Sequence, residues 1–237
     1  MTIVRSDVNE NLKTLGVSVN KVARTATEIE RKSFHLLGLG VPVLYQYLIR
    51  FHSWTQYDYA RFCFVCTFLI WSGDTLRVVA PVVNNYFPFT LMNSILREKE
   101  KSQLSGTSYF SLGCTIAIFV FPSATATLSI IWLVLGDMSA ALIGVSFGGE
   151  TVALKMGREG KKSVEGSIAM FVTCVVVGLL TFYRSSLSEY AIVVGALVAT
   201  LVELYEPFGL NDNITIPVIS CCAVQWALAR VEASCEC

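Results

Sequence analysis

Long apolar runs are the feature of this sequence that most constrains its fold. The hydrocarbon core of a bilayer is about 30 Å thick, and a helix needs roughly 20 mainly apolar residues to cross it. Seven segments approach this requirement, at approximately 33–49, 59–73, 104–121, 124–148, 166–183, 190–205 and 214–230. Hydrophobic residues make up 54% of the 237 positions and charged residues 15%, which is typical of membrane proteins. We therefore predict an all-α, polytopic helical bundle with about seven transmembrane helices.

Two regions depart from this pattern. Residues 78–96 are apolar but are interrupted by Pro81, Asn84, Asn85 and Pro88, which favours a short interfacial or re-entrant segment over a full span. The polar, basic residues 1–27 lack the features of a cleavable signal peptide and predict a cytosolic tail. The remaining residues, 28–237, then form one transmembrane domain.

The placement of lysine and arginine predicts the orientation of the bundle. Cytoplasmic connections carry an excess of these residues. The N-terminal tail, the 74–103 connection and the 149–165 loop are rich in them, whereas the intervening connections hold only Arg50, Arg184 and Arg230. This alternation predicts that the basic segments and the acidic turn 206–213 share the cytosolic face. The net charge is zero, so the overall balance gives no indication of nucleic acid as a partner.

Cysteine usage gives little indication of a metal site. Most of the eight cysteines lie inside apolar runs, where cysteine behaves as a small hydrophobic residue. The Cys63-x-x-Cys66 pair has no second pair to complete a zinc site. Core packing is therefore the favoured interpretation of both residues.

Carboxylates inside the predicted spans are the first candidates for chemistry. Asp137 lies deep in "SIIWLVLGDMSAALIGVSFGG", where an ionised carboxylate costs on the order of 3 kcal/mol. It is either a hydrogen-bonding group between helices or, as we favour, a metal or substrate ligand. Glu203 ends the sixth span and either snorkels to the interface or joins the same site. Asp212 is either a helix cap or a functional group.

Two groups of charged residues near the same face allow a structural and a functional interpretation. Asp74 and Arg77, three positions apart, are either a helical ion pair or part of a site. The basic run "LREKEK" at 96–101 either contacts anionic lipid headgroups or neutralises a substrate.

The loop "GREGKKSVEG" at 157–166 has the chemistry of a phosphate site without being a Walker loop. The spacing fails because Lys155 stands where the first glycine belongs and Lys162 follows Lys161 where Ser or Thr is required. Two ammonium groups, flexible glycines, the Ser163 hydroxyl and the amides that begin the next helix nevertheless favour a bound phosphate. Glu165 adds a carboxylate suited to magnesium.

Taken in order, five motifs resemble the CTP-dependent lipid kinases, a membrane family that covers diacylglycerol, dolichol and phytol kinases. These motifs are "RKSFH", "LREKE", "GDMSAALIG", "GKKSVEGS" and "NDNITIP", and they extend from about Glu28 to Pro217. "LREKE" followed by "SGTSYFSLG" looks most like the diacylglycerol kinases, whereas the lysine pair in "GKKSVEGS" looks closer to dolichol kinase. The resemblance implies transfer of the CTP γ-phosphate to a lipid hydroxyl at the cytosolic face of the endoplasmic reticulum or nuclear envelope, with Mg²⁺ or another divalent cation such as Ca²⁺.

The resemblance also implies roles for individual residues. The implied catalytic residues are Asp137, Lys161, Lys162, Arg97 and Asp212. The implied nucleotide and phosphate contacts are Lys99, Gly160, Ser163, Gly166, Ser167, Asn213, Lys32 and His35. The implied metal ligands are Asp137, Glu165 and Glu203.

Three other functions remain open at this stage. A polyprenol kinase of the dolichol or phytol type keeps the chemistry and changes the acceptor. A phosphatidate cytidylyltransferase-like enzyme uses the same donor and releases pyrophosphate instead of CDP. A small transporter also buries carboxylates, but it needs polar groups along a path to both faces, whereas these clusters gather on one face.

Overall fold

The computed structural model describes residues 35–86, 89, 96, 98–147, 155–156, 162–182 and 187–235. These residues form seven main helices: α1 (Gly40–Phe51), α2 (Gln56–Val79), α3 (Gly106–Val120), α4 (Ser123–Phe147), α5 (Val164–Thr181), α6 (Glu189–Tyr205) and α7 (Asp212–Cys235). Two short antiparallel strands, β1 (Lys155–Met156) and β2 (Lys162–Ser163), pair with each other directly before α5. The prediction of an all-α bundle is confirmed.

Each predicted span corresponds to one of these helices. Four of them, α2, α4, α5 and α7, are long and apolar enough to cross a membrane by length and composition, and α3 is a shorter apolar helix. The helix α2 runs six residues beyond the predicted end at 73, because Asp74 and Arg77 pair with each other inside the protein. After it, the predicted interfacial segment begins with a short 3₁₀ helix, Pro81–Asn85. Most of the rest of that segment, and the whole predicted tail 1–27, lie outside the described residues.

One hydrophobic core joins α4, α5, α6 and α7. Trp132 is fully buried there, and its indole N–H donates to the Cys174 carbonyl at 2.7 Å. Glycines make room for this ring, because a Cβ at Gly195 would lie 2.7 Å from it. Since small residues let membrane helices approach closely, this packing fixes α4, which carries Asp137, against α5 and against α6, which carries Glu203.

A second core lies between α1, α2, α3, α4 and α7. The rings of Tyr45 and Tyr59 stack with their centroids 4.8 Å apart, and Cys63, Cys114 and Cys221 pack as buried thiols. The interpretation of Cys63 as a core residue is therefore confirmed. Many side chains on the outer face of α2 are large, apolar and exposed, as expected for a surface in contact with lipid.

Candidate functional site

Asp137 is positioned by an irregular turn in the middle of α4. Residues Trp132–Gly136 form a π-helical turn, a distortion often found at functional sites, and Asp137 follows it directly. The aspartate is only 7% exposed. Its carboxylate lies 3.6 Å from Nε2 of His35, and the His35 ring packs edge-on against Phe110 at 5.9 Å. The aspartate is therefore held beside an imidazole at a buried position.

Lys162 lines the same cavity as this aspartate. Its ammonium group is paired with the carboxylate of Glu203 and lies 3.4 Å from that of Glu206. Both glutamates stand at the end of α6, where Glu206 adopts a left-handed conformation with φ 44°. This conformation ends the helix and brings a second carboxylate toward the same lysine.

The charges around Lys162 keep it protonated. Burial by itself lowers the pKa of the ammonium group, but the facing carboxylate of Glu203, and those of Asp212 and Asp137 farther away, raise it, so that the pKa lies above its usual range. A positive charge is therefore held among carboxylates throughout the neutral pH range.

The start of α7 contributes the third polar group. The backbone N–H of Asn213 donates to Oδ1 of Asn211 at 3.0 Å and to Oδ1 of Asp212 at 2.9 Å. Asn213 is 7% exposed, and among the described residues its buried Oδ1 has no hydrogen-bond partner. A buried carbonyl oxygen with no donor is costly, so this atom is suited to a bound ligand.

Residues at the start of α5 have mainly structural contacts. The Ser163 hydroxyl accepts the backbone N–H of Gly166 at 3.1 Å and caps the helix. The Ser167 hydroxyl donates to the Ser163 carbonyl at 3.3 Å. Gly166 permits a close helix crossing, because a Cβ there would lie 2.7 Å from the Ala140 carbonyl oxygen. Through these contacts the start of α5 is held against α4 beside Asp137.

The Asp74–Arg77 pair fixes the turn before α3. Arg77 binds Asp74 at 2.7 Å, and both side chains are fully buried. The guanidinium also donates to the carbonyls of Glu100, Lys101 and Gln103 at 2.6–3.0 Å. The predicted helical ion pair is therefore present, and it holds the end of the basic 96–101 segment.

These groups surround one cavity of about 1260 Å³. Its polar end is lined by nine of the predicted site residues: His35, Asp137, Lys162, Ser163, Gly166, Ser167, Glu203, Asp212 and Asn213. Its other end is lined by α1, α2 and α3 with mainly apolar side chains. The structure therefore joins a charged site to an apolar space inside the bundle.

The remaining predicted residues are not placed in this cavity. Glu165 is described but does not line it. Lys32, Arg97, Gly160 and Lys161 lie outside the described residues, as does the side chain of Lys99.

Sequence reasoning did not select Glu206 or Glu100 as site residues and gave Asp74 only as one of two alternatives, although all three line the cavity. The turn "EPFGLNDN" was a signal for Glu206, because it places a carboxylate directly before a proline at a helix end. The Oε1 of Glu100 accepts the backbone N–H of Gly106 at 3.1 Å, a contact that has no local sequence signal.

The described residues provide oxygen ligands but no complete metal centre. Within the part of the chain that the structure describes, no group of three or more His, Cys, Asp and Glu side chains is arranged to hold a metal. Magnesium is commonly bound by one or two carboxylates together with substrate phosphates. Asp137, Asp212 and the unpartnered Oδ1 of Asn213 suit that mode, whereas Glu203 is engaged with Lys162.

The fold and the cavity define a helical integral membrane protein with a buried, charged binding site. Comparison with known proteins narrows this class. The chain is 26% identical over 207 residues to CTP-dependent diacylglycerol kinase 1 of Schizosaccharomyces pombe, covering 82% of this chain and 91% of that protein. It is 28% identical over 218 residues to the enzyme of the same name from Saccharomyces cerevisiae, covering 83% and 72%.

An uncharacterized protein of Rickettsia prowazekii is also similar, with 28% identity over 200 residues, 82% of this chain and 91% of that protein. No family model and no solved structure matches the chain. The similarity to the two fungal proteins extends over most of the chain and supports the resemblance of the sequence motifs to the CTP-dependent lipid kinases.

Proposed function

We propose that this protein is a CTP-dependent diacylglycerol kinase that transfers the CTP γ-phosphate to the hydroxyl of diacylglycerol and forms phosphatidic acid. The observation that carries the proposal is a cavity in which the buried Asp137 and the half-buried Lys162 and Asp212 adjoin an apolar space. A lipid alcohol needs both environments at once. The similarity to proteins named CTP-dependent diacylglycerol kinase supports the choice of donor and acceptor.

The reaction requires positioning and charge neutralisation more than covalent chemistry. The lipid hydroxyl oxygen forms a bond to the γ-phosphorus, the bond from that phosphorus to the bridging oxygen breaks, and CDP leaves. The hydroxyl proton passes to a carboxylate of the cluster, and we assign this role to Asp212. His35, held 3.6 Å from Asp137, lies where it contacts the same phosphate or hydroxyl.

Lys162 neutralises charge on the transferring group. Its ammonium is fixed by Glu203 and Glu206, so it does not have to reorganise when charge develops in the transition state. Lys161, Arg97 and Lys99 are proposed to add positive charge from the neighbouring loop and the basic segment.

A divalent cation such as Mg²⁺ would supply further neutralisation of the phosphates. Among the described lining residues, carboxylates outnumber ammonium groups, which suits a nucleotide that arrives with its metal. Asp137 and Oδ1 of Asn213 would hold that ion, which leaves Asp212 to accept the hydroxyl proton.

The charge pattern of the sequence supports an orientation in which this end of the cavity faces the cytosol, and we propose the endoplasmic reticulum or nuclear envelope as the membrane.

The test offers γ-labelled CTP and Mg²⁺ to purified protein in mixed micelles that contain diacylglycerol, dolichol or phytol, with labelled ATP as the control donor. Label in phosphatidic acid from CTP alone supports the proposal. Label only in a polyprenyl phosphate assigns the enzyme to the polyprenol kinases, and absence of label from every lipid contradicts the proposal.

A further inference from the structure

The apolar end of the cavity lies between α1 and α2. We call it the apolar arm, and its walls are Leu37, Val41 and Leu44 on one side and Phe62, Leu69 and Ile70 on the other. The two helices touch through the stacked rings of Tyr45 and Tyr59 near their connecting turn. Away from this contact, toward the polar end, both helices face the cavity. The arm is therefore a cleft that is closed at the turn and continuous with the charged site.

The polar groups of the arm are already satisfied by the protein. The Thr67 and Thr115 hydroxyls share a hydrogen bond of 2.8 Å, and Thr67 also lies 3.1 Å from the Ser111 carbonyl. The Tyr59 hydroxyl donates to the Val41 carbonyl at 2.8 Å. A ligand in the arm therefore contacts hydrocarbon surface and thiols, because the hydroxyl groups named above already bond to the protein. This surface selects an aliphatic chain.

The walls of the arm reach the lipid-facing surface. Leu37 and Leu69 line the cavity and are nevertheless 75% and 64% exposed, on opposite sides of the cleft. A side chain that belongs both to the cavity and to the outer surface marks an edge of an opening. Because the long apolar helix α2 forms one side of this opening, the opening faces the bilayer.

Two glycines leave space within the arm. A Cβ built at Gly40 or at Gly73 meets no atom within 4 Å, although both residues line the cavity. Gly38, close to Gly40 in the chain, differs, because a Cβ there would lie 2.6 Å from the Phe110 ring. The space at Gly40 and Gly73 is therefore not needed for helix packing and is free for a ligand.

We infer that a long aliphatic chain of the lipid substrate enters from the bilayer between α1 and α2 and occupies the apolar arm past Gly40 and Gly73. This position places the hydroxyl of the lipid beside Asp137 and Lys162. This inference rests on the proposed function and assigns its acceptor site. It makes Gly40 and Gly73 determinants of chain binding, separate from the charged side chains that are proposed to handle phosphate.

Filling the arm tests this assignment. Gly73→Leu and Gly40→Leu place a side chain in the free space and, because leucine is a better helix former than glycine, they do not weaken the helices. Ser72→Leu is the matched control, since Ser72 is exposed on α2 and does not line the cavity. Each buried methylene contributes about fourfold in affinity, so exclusion of two or more is expected to raise the KM for long-chain diacylglycerol at least about tenfold.

The expected result is this rise in both glycine variants, with unchanged CTP binding and a wild-type KM in the Ser72→Leu variant. Wild-type KM values in both glycine variants overturn the inference.

A binding measurement separates this inference from the proposed function. Wild-type protein is irradiated with a diacylglycerol that carries a diazirine in one acyl chain, in the absence of nucleotide. Crosslinks within 37–44 and 62–73 that disappear in Gly73→Leu and persist in Ser72→Leu support the inference, even where no lipid becomes phosphorylated. Crosslinks elsewhere, or crosslinks unaffected by Gly73→Leu, overturn it, even where the kinase activity is present.

Discussion

Replacement of Arg77 by leucine is expected to destabilise the protein strongly. The guanidinium donates to Oδ1 of Asp74 through Nε at 2.9 Å and Nη2 at 2.7 Å, and it also serves three backbone carbonyls. Both side chains are fully buried, so the variant leaves an uncompensated carboxylate inside the bundle. Removal of one partner of a buried ion pair costs about 3–5 kcal/mol.

The remaining partners of Asp74 place the expected loss at the lower end of this range. Its Oδ2 still accepts the backbone N–H of Ser105 at 2.6 Å and the hydroxyl of Ser108 at 2.7 Å. We therefore expect a loss of about 3 kcal/mol, a factor of roughly 150 in the unfolding equilibrium. The double variant Asp74→Asn/Arg77→Leu is expected to be more stable than Arg77→Leu alone, because it removes the unpaired charge.

The assay is unfolding in mixed micelles with increasing dodecyl sulfate, followed by circular dichroism. Arg61→Leu is the control, because Arg61 also pairs with an aspartate three residues earlier on α2 but is 78% exposed. Exposed pairs contribute little, so its midpoint is expected to equal that of the wild type. Equal midpoints for Arg77→Leu and Arg61→Leu would refute the reasoning.

Three further predictions concern the polar end of the cavity. Asp137→Asn is expected to abolish lipid phosphorylation while membrane protein levels stay unchanged by immunoblot, and normal turnover would contradict the assignment. Lys162→Met is expected to lower kcat about 10²- to 10³-fold in the micelle assay. The pKa of Lys162 is raised, so its contribution to CTP binding is present below its ordinary pKa of about 10.4 and is lost only as the pH rises through the higher folded value. CTP binding is measured as a function of pH for the wild type and for Lys162→Met. A decline in wild-type binding that is centred below pH 9 and is absent from Lys162→Met would contradict this prediction. Gly166→Ala is expected to cost about 1–3 kcal/mol, because its Cβ meets the Ala140 carbonyl oxygen at 2.7 Å, whereas Gly73→Ala fills open space and is expected to leave the unfolding midpoint undiminished.

The sequence was most informative about the helices. Hydropathy reports the length of an apolar segment, and every predicted span is a helix in the described part of the chain. The boundary of α2 was less predictable, because Asp74 looks like the end of a span until its buried partner Arg77 is known. Local sequence cannot show that a charge is compensated within the protein.

The site was predictable where an unusual residue type stood in an apolar segment. Asp137 and Glu203 were selected for this reason, and both line the cavity. Partners across the fold were not predictable in this way. The contacts from Lys162 to Glu203 and Glu206 join residues more than 40 positions apart, and the left-handed backbone at Glu206 has no signature beyond the following proline.

The packing of Trp132 illustrates the same limit. Its space is provided by glycines on two other helices, Gly178 and Gly195, and nothing near residue 132 in the sequence indicates which small residues face it. The apolar arm likewise depends on two glycines, Gly40 and Gly73, whose free space only the assembled helices reveal.

The central claim, phosphoryl transfer from CTP to a lipid alcohol at the Asp137–Lys162 site, is tested most directly by the position of the label that reaches the lipid. Purified wild-type and Asp137→Asn proteins are incubated in micelles containing diacylglycerol and phosphatidic acid, with CTP labelled either at the γ- or at the α-phosphate. The account predicts lipid label from γ-labelled CTP only, in the wild type only, with release of CDP. Lipid label from α-labelled CTP with release of pyrophosphate, or undiminished γ-label transfer by Asp137→Asn, would contradict it.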